Sequence, residues 1–336
     1  MRVLVVGAGF TGTAIARTLA ENDINVDVID KRDHIGGNAY DYVNHHGIRI
    51  HKYGPHVFHT NNFRVFDWLR RFSKWTPYYH KVKAMLADGS LVPFPPNKDT
   101  LSRVPQEQIQ EIFYIPYTEK MWAMPFEQVA KKTVNRTKFL SRDTDLYFPK
   151  DRLQFFPESG YTKIFENILD HSLIKLNLNT SFDHSMETDY DYCFNSMPID
   201  EYYNHRYGSL PYRSIKFSHV DLPVVRAFEC PVINFTHIGS QTRLVEWKNF
   251  PAHGGNNSWT TITYETPCDP AENNEEKYYP VNDQAGKNRE LYKQYAIIPN
   301  NKTQFVGRCG NYAYIDMDQA IAHGLSVANK FLRKIK

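Results

Sequence analysis

The stretch RVLVVGAGFTGTAIARTLAENDINVDVID, residues 2–30, has the order strand, glycine turn, helix, strand. Its apolar run at 3–6 is typical of a parallel strand that is covered on both faces. The segment GAGFTG (7–12) supplies the pattern G-x-G-x-x-G, which allows a pyrophosphate to approach a helix N-terminus closely. Asp30 follows at the distance where a carboxylate accepts hydrogen bonds from a ribose diol. The stretch therefore predicts an α/β fold with a Rossmann-like, dinucleotide-binding first domain.

A second pair of glycines, Gly36 and Gly37, follows soon after this acid in HIGGNAYD (34–41). A nicotinamide site needs nothing special at this point. A second glycine turn brings another stretch of backbone against the same pyrophosphate without obstruction by a Cβ atom. The pair therefore favours FAD over NAD, and the alternative is an ordinary loop.

Composition limits the class of protein. The chain has 336 residues, 41% of them hydrophobic and 14% aromatic, and a net charge of only +3. These values indicate a globular protein long enough for two domains and give no strong nucleic-acid footprint. The four cysteines are widely spaced and form no C-x-x-C pair. Because no apolar run approaches about 18 residues, we expect a soluble, cytoplasmic protein with reduced thiols and no membrane contact.

Besides the two glycine segments, further motifs run along the whole chain: HKYGPHVFHT (51–60), PYTEKMWAMP (116–125), SGYTKIFENIL (159–169), YGSLPYRSIKF (207–217), TRLVEWKNF (242–250), KYYPV (277–281) and FVGRCGNYAYIDMD (305–318). Together these motifs resemble the UDP-galactopyranose mutase family of bacterial type. One departure is large. The family has a longer helical insertion between PYYHKVKA (77–84) and YTEKMW (117–122), and that insertion takes part in subunit contacts. The resemblance implies a homodimer, and the shortened insertion leaves the oligomeric state open.

The resemblance implies three domains. A discontinuous FAD-binding domain takes residues 1–76, 150–200 and 300–336, and a reduced helical domain takes 96–148, with a mobile loop near 130–142. An antiparallel-sheet substrate domain takes 77–95 and 201–299.

The resemblance also implies which residues bind the cofactor, FAD, which is active in its reduced form. They are Gly7, Gly9, Phe10, Gly12, Asp30, Lys31, Gly36, Gly37, Asn38, His56, Arg308, Asp316 and Met317. From the sequence pattern alone, Asp316 or Asp318 can cap the last helix. The N-terminus of that helix would favour negative charge on the reduced flavin.

The substrate residues are implied in the same way. A gap-free count from Trp122 gives Arg136 for a diphosphate arginine and Tyr147 for a diphosphate tyrosine. The full set is Tyr114, Tyr117, Trp122, Arg136, Tyr147, Asn234, Arg243, Tyr279 and Tyr314. Asn234 and Arg213 match positions that line the active site or the uridine in the family, and for both a core or surface role is almost equally compatible with the pattern. A guanidinium suits this task because it makes two parallel hydrogen bonds to phosphate oxygens.

Four residues are expected to act in the reaction itself: Arg136, Arg243, His56 and His59. The two histidines form a spacing that also suits a metal pair, but no third ligand follows at ligand distance, so we predict no metal ion. A hydrogen-bonding role in the core is the alternative. His80 and Ala313 stand where relatives often have Asn and a long polar residue, so both are expected to influence substrate choice.

The resemblance implies an isomerase that interconverts UDP-galactopyranose and UDP-galactofuranose through a covalent bond between the flavin N5 and the sugar, with no net oxidation. The implied partners are a UDP-sugar and a reductant such as NAD(P)H. Three alternatives stay open: a mutase for another nucleotide sugar (UDP-N-acetylgalactosamine or a dTDP-deoxysugar), an amine-oxidase-like FAD oxidoreductase, and an FAD-binding module without activity.

Overall fold

The computed structural model describes residues 1–134, 143–236, 239–254 and 258–335. Its first unit begins with strand β1 (Arg2–Val6), helix α1 (Phe10–Ala20) and strand β2 (Asn25–Ile29). β1 is buried from its second residue onward, as its unbroken apolar run predicts. The tight glycine turn at Gly7, with a φ of 104°, lets the chain leave β1 and enter α1 at once.

A five-stranded parallel sheet forms around this unit. β1 lies at its centre, with β2 and β10 (Ile174–Asn177) on one side and β11 (Tyr192–Asn195) and β17 (Thr303–Phe305) on the other. The last helix, α10 (Met317–Ile335), packs against α1. Gly324 makes this contact possible, because a Cβ atom there would lie 2.6 Å from the carbonyl oxygen of Thr11. The prediction of a Rossmann-like domain is confirmed.

Three short strands extend this domain toward the candidate site. They are β5 (Phe58–Thr60), β9 (Leu153–Pro157) and β6 (Trp75–Pro77), with β9 in the middle. A separate hairpin pairs β3 (Asp41–Val43) with β4 (Arg49–His51). The helices here are α2 (Phe63–Leu69) and α6 (Tyr161–Leu169).

A seven-stranded sheet forms the second layer. Its long strands β12 (Tyr212–Leu222) and β15 (Thr260–Cys268) are antiparallel, with Ser214 opposite Cys268 and Leu222 opposite Thr260. In the order of the sheet, the strands are β16 (Tyr279–Pro280), β12, β15, β14 (Arg243–Glu246), β13 (Val232–Phe235), β7 (Val82–Met85) and β8 (Leu91–Phe94).

One pairing in this sheet departs from the predicted antiparallel arrangement. β13 and β7 run parallel, with Ile233 opposite Lys83. The two strands come from distant parts of the chain, so no hairpin fixes their relative direction. The sheet is therefore mixed rather than purely antiparallel.

Short helices fill the region of the shortened insertion. They are α3 (Lys98–Leu101), a π-helical turn at Gln110–Tyr114, α4 (Ile115–Trp122) and α5 (Lys131–Val134). The remaining helices are α7 (Ile199–Tyr202), α8 (Lys287–Ala296) and α9 (Gly307–Gly310). None of the helices in the described residues is long and apolar enough to cross a membrane. The three-domain division stays a prediction.

Candidate active site

The two glycine turns lie against each other. The N–H of Gly36 donates to the carbonyl oxygen of Ala8 over 2.9 Å. A Cβ atom at Gly37 would lie 3.1 Å from the Cα atom of Gly9, so the two backbones touch. Gly36 and Gly37 also have positive φ angles of 90° and 54°, which side-chain-bearing residues rarely adopt. The second turn thus extends the phosphate cradle that the first one begins.

Asp30 connects the cradle to the end of β2. Its carboxylate accepts the N–H of Ala8 over 2.8 Å and the N–H of Arg32 over 3.0 Å. Arg32 then pairs with Glu276 over 2.5 Å and lies above the ring of Tyr53 at 4.4 Å. Arg32 and Glu276 were not predicted from the sequence, because no spacing rule connects residues so far apart in the chain.

A cavity of ≈ 390 Å³ opens at this cradle, and we call it the glycine cavity. Every residue predicted to bind the cofactor lines it: Gly7, Gly9, Phe10, Gly12, Asp30, Lys31, Gly36, Gly37, Asn38, His56, Arg308, Asp316 and Met317. Its residues fit FAD, because close-packed glycine backbone, an acid at the strand end and the start of α10 are what a dinucleotide with a flavin requires.

A second cavity of ≈ 490 Å³, the arginine cavity, is lined by Arg243 and by aromatic side chains. It contains every predicted substrate residue in the described ranges: Tyr114, Tyr117, Trp122, Tyr147, Asn234, Arg243, Tyr279 and Tyr314. His56 and His59 line it as well. Arg136 lies outside the described residues. Arg213 and Ala313 line neither of the two cavities among the described residues, and the Nε of Arg213 donates to the carbonyl oxygen of Met121.

The two cavities share a wall. Asn38, His56, Arg308, Asp316 and Met317 line both of them. A ring system held at the glycine cavity would therefore meet a molecule in the arginine cavity at these five residues.

Arg243 is a half-buried cation that lines the arginine cavity, and its side chain is 23% exposed. One of its terminal nitrogens donates to the hydroxyl of Tyr117 over 3.0 Å, and the other lies 3.6 Å from Glu265. Burial lowers the pKa of the Arg243 guanidinium, but Glu265 and three nearby tyrosines raise it by more than burial lowers it. The net pKa lies well above its usual value, so the group stays charged. Burial raises the pKa of Glu265, and Arg243 opposes that shift. A single acid thus faces an arginine that can accept a further anionic partner.

Several polar atoms of this cavity are buried without a hydrogen-bond partner among the described residues. They are Nε of Arg243, Oε1 of Glu265, Oδ1 of Asn234 and the hydroxyl of Tyr114. Leaving such atoms unpaired costs about 1–3 kcal/mol each. A polar ligand with several donors and acceptors would satisfy them.

A cluster of aromatic rings closes the other end. Tyr279 and Tyr314 stack with ring centres 5.3 Å apart, and Trp122 meets both edge-on. The guanidinium of Arg308 lies 5.2 Å and 5.5 Å from the centres of the two tyrosine rings. It also donates to the carbonyl oxygens of Tyr278 and Ile315. Arg308 is therefore held rigidly at the shared wall.

His56 presents one acceptor nitrogen at the shared wall. Its Nδ1 lies 2.7 Å from the carbonyl oxygen of Gly54, which can only accept. Burial lowers the pKa of His56 to about 4, so the ring is neutral near pH 7. The proton must then reside on Nδ1, which leaves Nε2 as an acceptor.

Two more histidines hold His56 from behind. Nδ1 of His51 accepts the backbone N–H of His56 over 3.0 Å, so the His51 proton is on Nε2. That proton points to Nε2 of His253 at 2.9 Å, and Nδ1 of His253 donates to Pro251. Burial lowers the pKa of His253 to about 4 and holds that of His51 well below its usual value, so both rings are neutral near pH 7. No sequence motif pointed to His253.

His59 is held by a carboxylate. Its Nδ1 lies 2.6 Å from Oδ2 of Asp151, and its ring stacks on Phe148 with the centres 3.6 Å apart. Asn61 donates to the other oxygen of Asp151 over 2.8 Å. Asp151 and Phe148 both line the arginine cavity and were missed, because 92 residues separate His59 from its acid. Nearby His80 is buried in the cavity wall, and burial lowers its pKa to about 3.

A dinucleotide cradle that opens beside a half-buried arginine is typical of FAD-dependent α/β enzymes that act on a polar, anionic substrate. The family profile described as UDP-galactopyranose mutase matches residues 112–314, and one described as an NAD(P)-binding Rossmann-like domain matches residues 5–72. The chain belongs to the UDP-galactopyranose mutase family, whose members are flavin-dependent isomerases.

Relatives support this over nearly full length. A probable UDP-galactopyranose mutase of Klebsiella pneumoniae is 32% identical over 99% of this chain and 95% of its own. A dTDP-fucopyranose mutase of Escherichia coli is 29% identical over 100% of this chain and 99% of its own. A crystal structure of a reduced UDP-galactopyranose mutase aligns with a TM-score of 0.77 at 17% identity, covering 99% of this chain and 95% of that one. The Klebsiella alignment spans 372 positions against 336 residues here, so the relative has residues that this chain lacks.

Proposed function

We propose that this chain interconverts UDP-galactopyranose and UDP-galactofuranose as an FAD-dependent isomerase without net oxidation. Family membership supports the reaction. The shared wall is the observation that supports the roles of individual residues, because it joins a dinucleotide cradle to a cavity with a half-buried arginine.

The glycine cavity would hold FAD. Its adenosine end would lie toward Asp30, and its pyrophosphate would rest on the backbone of the two glycine turns and the N-terminus of α1. Reduced flavin, when bound, supplies a nucleophilic nitrogen for the anomeric carbon of the sugar. Arg308 and the N-terminus of α10 would favour negative charge at the ring end.

The arginine cavity would hold the nucleoside diphosphate. One terminal nitrogen of Arg243 donates a hydrogen bond to Tyr117, and the other is paired with Glu265. Its Nε has no partner among the described residues, so this atom and the positive charge would bind phosphate oxygens. The hydroxyls of Tyr147, Tyr279 and Tyr314 would add neutral hydrogen bonds. We also assign to Arg136 a role in binding the diphosphate. Holding the diphosphate between the two bond changes keeps the leaving group available for return.

The uridine would lie against the aromatic wall at Tyr114 and Tyr117. The buried hydroxyl of Tyr114 and Oδ1 of Asn234 need partners, and a base with both donors and acceptors supplies them. Burial raises the pKa of the Tyr117 hydroxyl, although Arg243 opposes that shift, so the group keeps its proton. That hydroxyl accepts from Arg243 and retains its own hydrogen for the ligand.

The sugar would lie between Trp122 and the shared wall. There, Nε2 of His56 is placed to accept a hydrogen bond from a sugar hydroxyl or from the cofactor. His59, fixed by Asp151, gives a second nitrogen nearby. Neither histidine needs to act as a covalent nucleophile.

We further propose that the enzyme works in the cytoplasm and is activated by an external reductant such as NAD(P)H. All four cysteines are unpaired thiols, as expected in a reducing compartment. A homodimer stays a prediction.

The test is an assay of the reduced protein against UDP-galactopyranose, UDP-N-acetylgalactosamine and dTDP-fucopyranose, with products separated by chromatography. We expect interconversion of UDP-galactopyranose and UDP-galactofuranose to be fastest. Faster turnover of dTDP-fucopyranose would assign the chain the activity named for its Escherichia coli relative. Consumption of an electron acceptor in step with product would instead indicate an amine-oxidase-like enzyme.

A further inference from the structure

The turn between β3 and β4 brings two adjacent histidines to the end of β12, away from both cavities. Nε2 of His45 lies 3.6 Å from Oδ2 of Asp221, and Nε2 of His46 lies 3.8 Å from the same oxygen. One ligand atom from each of the three side chains lies within 4.8 Å of the others. Within the described ranges, no other group of three histidine, cysteine or acidic side chains converges in this way.

These separations are close to those of a metal site. A tetrahedral zinc ion with bonds of about 2.0–2.1 Å has ligand atoms roughly 3.3 Å apart. The two nitrogen-to-oxygen distances exceed this by a few tenths of an ångström, and one ligand nitrogen of each imidazole lies within 4.8 Å of the other. His45 is 71% exposed, and its ring packs on that of His46 with the ring centres 3.9 Å apart, so an inward rotation has to change only this contact.

The surroundings already hold two of the three ligands in place. Oδ1 of Asp221 accepts the hydroxyl of Thr261 over 2.6 Å, and that hydroxyl also accepts from Asn44 over 2.9 Å. This leaves Oδ2 turned toward the histidines. The ring of His46 stacks on Trp259 with the centres 4.5 Å apart and the planes 9° apart. Partners of this kind orient the ligands of metal sites.

We propose that His45, His46 and Asp221 form a surface site for a divalent transition-metal ion, with Zn²⁺ as the best match and water in the remaining position. Two imidazoles and one carboxylate suit Zn²⁺, whereas Mg²⁺ and Ca²⁺ prefer oxygen ligands alone. The sequence analysis predicted no metal ion in the chain after weighing only His56 and His59, so the proposal departs from that prediction at a separate cluster.

The consequence is structural rather than catalytic. The histidines belong to the hairpin that leads to β4, and Asp221 belongs to the seven-stranded sheet. An ion here would fasten the hairpin to that sheet. Metal that binds only the folded chain raises its unfolding temperature.

The test is calorimetric titration of the FAD-loaded protein with Zn²⁺ near neutral pH, paired with thermal unfolding. We expect one ion per chain and a rise in Tm of a few degrees. Asp221→Asn and His46→Ala should each weaken binding at least tenfold and remove the rise. His205→Ala is the matched control, because His205 is an exposed histidine with one nearby carboxylate, Asp200. It should leave binding unchanged.

Three outcomes would overturn the proposal: no binding below millimolar Zn²⁺, binding that survives Asp221→Asn, or an equal loss in His205→Ala. If Asp221→Asn fails to fold, His45→Ala gives the same decision, since His45 is exposed and supports no core contact. Isomerase turnover should be unchanged by one equivalent of Zn²⁺, so this result is independent of the proposed function.

Discussion

In the arginine cavity, Arg243 forms an ion pair with Glu265 and donates a hydrogen bond to the hydroxyl of Tyr117. Removing such a cation leaves a buried acid without its partner, so the effect on folding must be separated from the effect on substrate. A lysine keeps the charge but loses the planar fork that fits a phosphate.

Arg243→Lys should lower kcat/KM for UDP-galactopyranose by about a hundredfold or more, because the diphosphate loses a preorganised donor. Steady-state kinetics of the reduced enzyme measures this, and flavin content should stay at the wild-type level. Arg213→Lys is the control, since Arg213 lines neither described cavity and donates to a backbone carbonyl. Similar kinetics for both variants would remove Arg243 from the substrate site.

Asp151 acts through His59, whose Nδ1 it holds at 2.6 Å. Asp151→Asn can offer an amide hydrogen to that nitrogen and so reverse the tautomer. We expect kcat to fall roughly tenfold or more, with KM and flavin content little changed. Asp143→Asn, at an acid that is 70% exposed and pairs with Lys98, is the control. An unchanged kcat in Asp151→Asn would make the pairing structural only.

At the scale of elements, the two glycine turns form one cradle. Gly37 and Gly89 both have a positive φ, but a Cβ atom at Gly37 would meet the backbone of Gly9, whereas one at Gly89 would meet no atom within 4 Å. Alanine at each of the two positions therefore separates the effect of backbone strain from the effect of a blocked cradle.

Gly37→Ala should reduce the ratio of bound FAD to protein severalfold, because the new Cβ atom would press on Gly9 at 3.1 Å and intrude on the cradle. The ratio follows from the visible absorbance of the purified protein. In Gly89→Ala the φ of 83° gives comparable strain, yet nothing lies within 4 Å. That variant should bind FAD normally. Equal loss of FAD in both variants would attribute the effect to backbone strain alone.

For the whole molecule, the buried histidines link stability to pH. Burial lowers the pKa of His56 and His253 to about 4 and of His80 to about 3, and that of His51 lies well below its usual value. Unfolded, they titrate near 6.5, so the unfolded chain binds more protons below that pH. The free energy of unfolding must then fall as the pH drops from about 6.5 toward 4.

Each such histidine contributes up to about 1.4 kcal/mol per pH unit in that window. Glu265 acts on stability in the opposite direction, because burial raises its pKa, but it is a single group. Urea unfolding at several pH values should show this slope, and His80→Asn should flatten it. His205→Asn, at an exposed histidine, should leave it unchanged. A free energy that is flat from pH 6.5 to 4 would contradict the neutral, buried state of these rings.

The parts of the fold that depend on local sequence patterns were predictable from the sequence. The strand, glycine turn and acid of residues 2–30 identified the dinucleotide domain, and Gly36 and Gly37 pointed to FAD because their backbone freedom is encoded locally. The contacts of His59 with Asp151, of Arg32 with Glu276 and of His51 with His253 join segments far apart in the chain. Such pairs, like the parallel direction of β13 and β7, depend on tertiary packing and leave no spacing signal.

Counting product molecules and electrons in one experiment tests whether the reduced flavin supports isomerisation without net oxidation. The FAD-loaded protein is reduced without oxygen, given excess UDP-galactopyranose, and followed by visible absorbance and chromatography. We expect many molecules of UDP-galactofuranose per flavin while the flavin stays reduced. At most one product per flavin, or reoxidation of the flavin in step with product, would contradict an isomerase that uses its cofactor without net redox change.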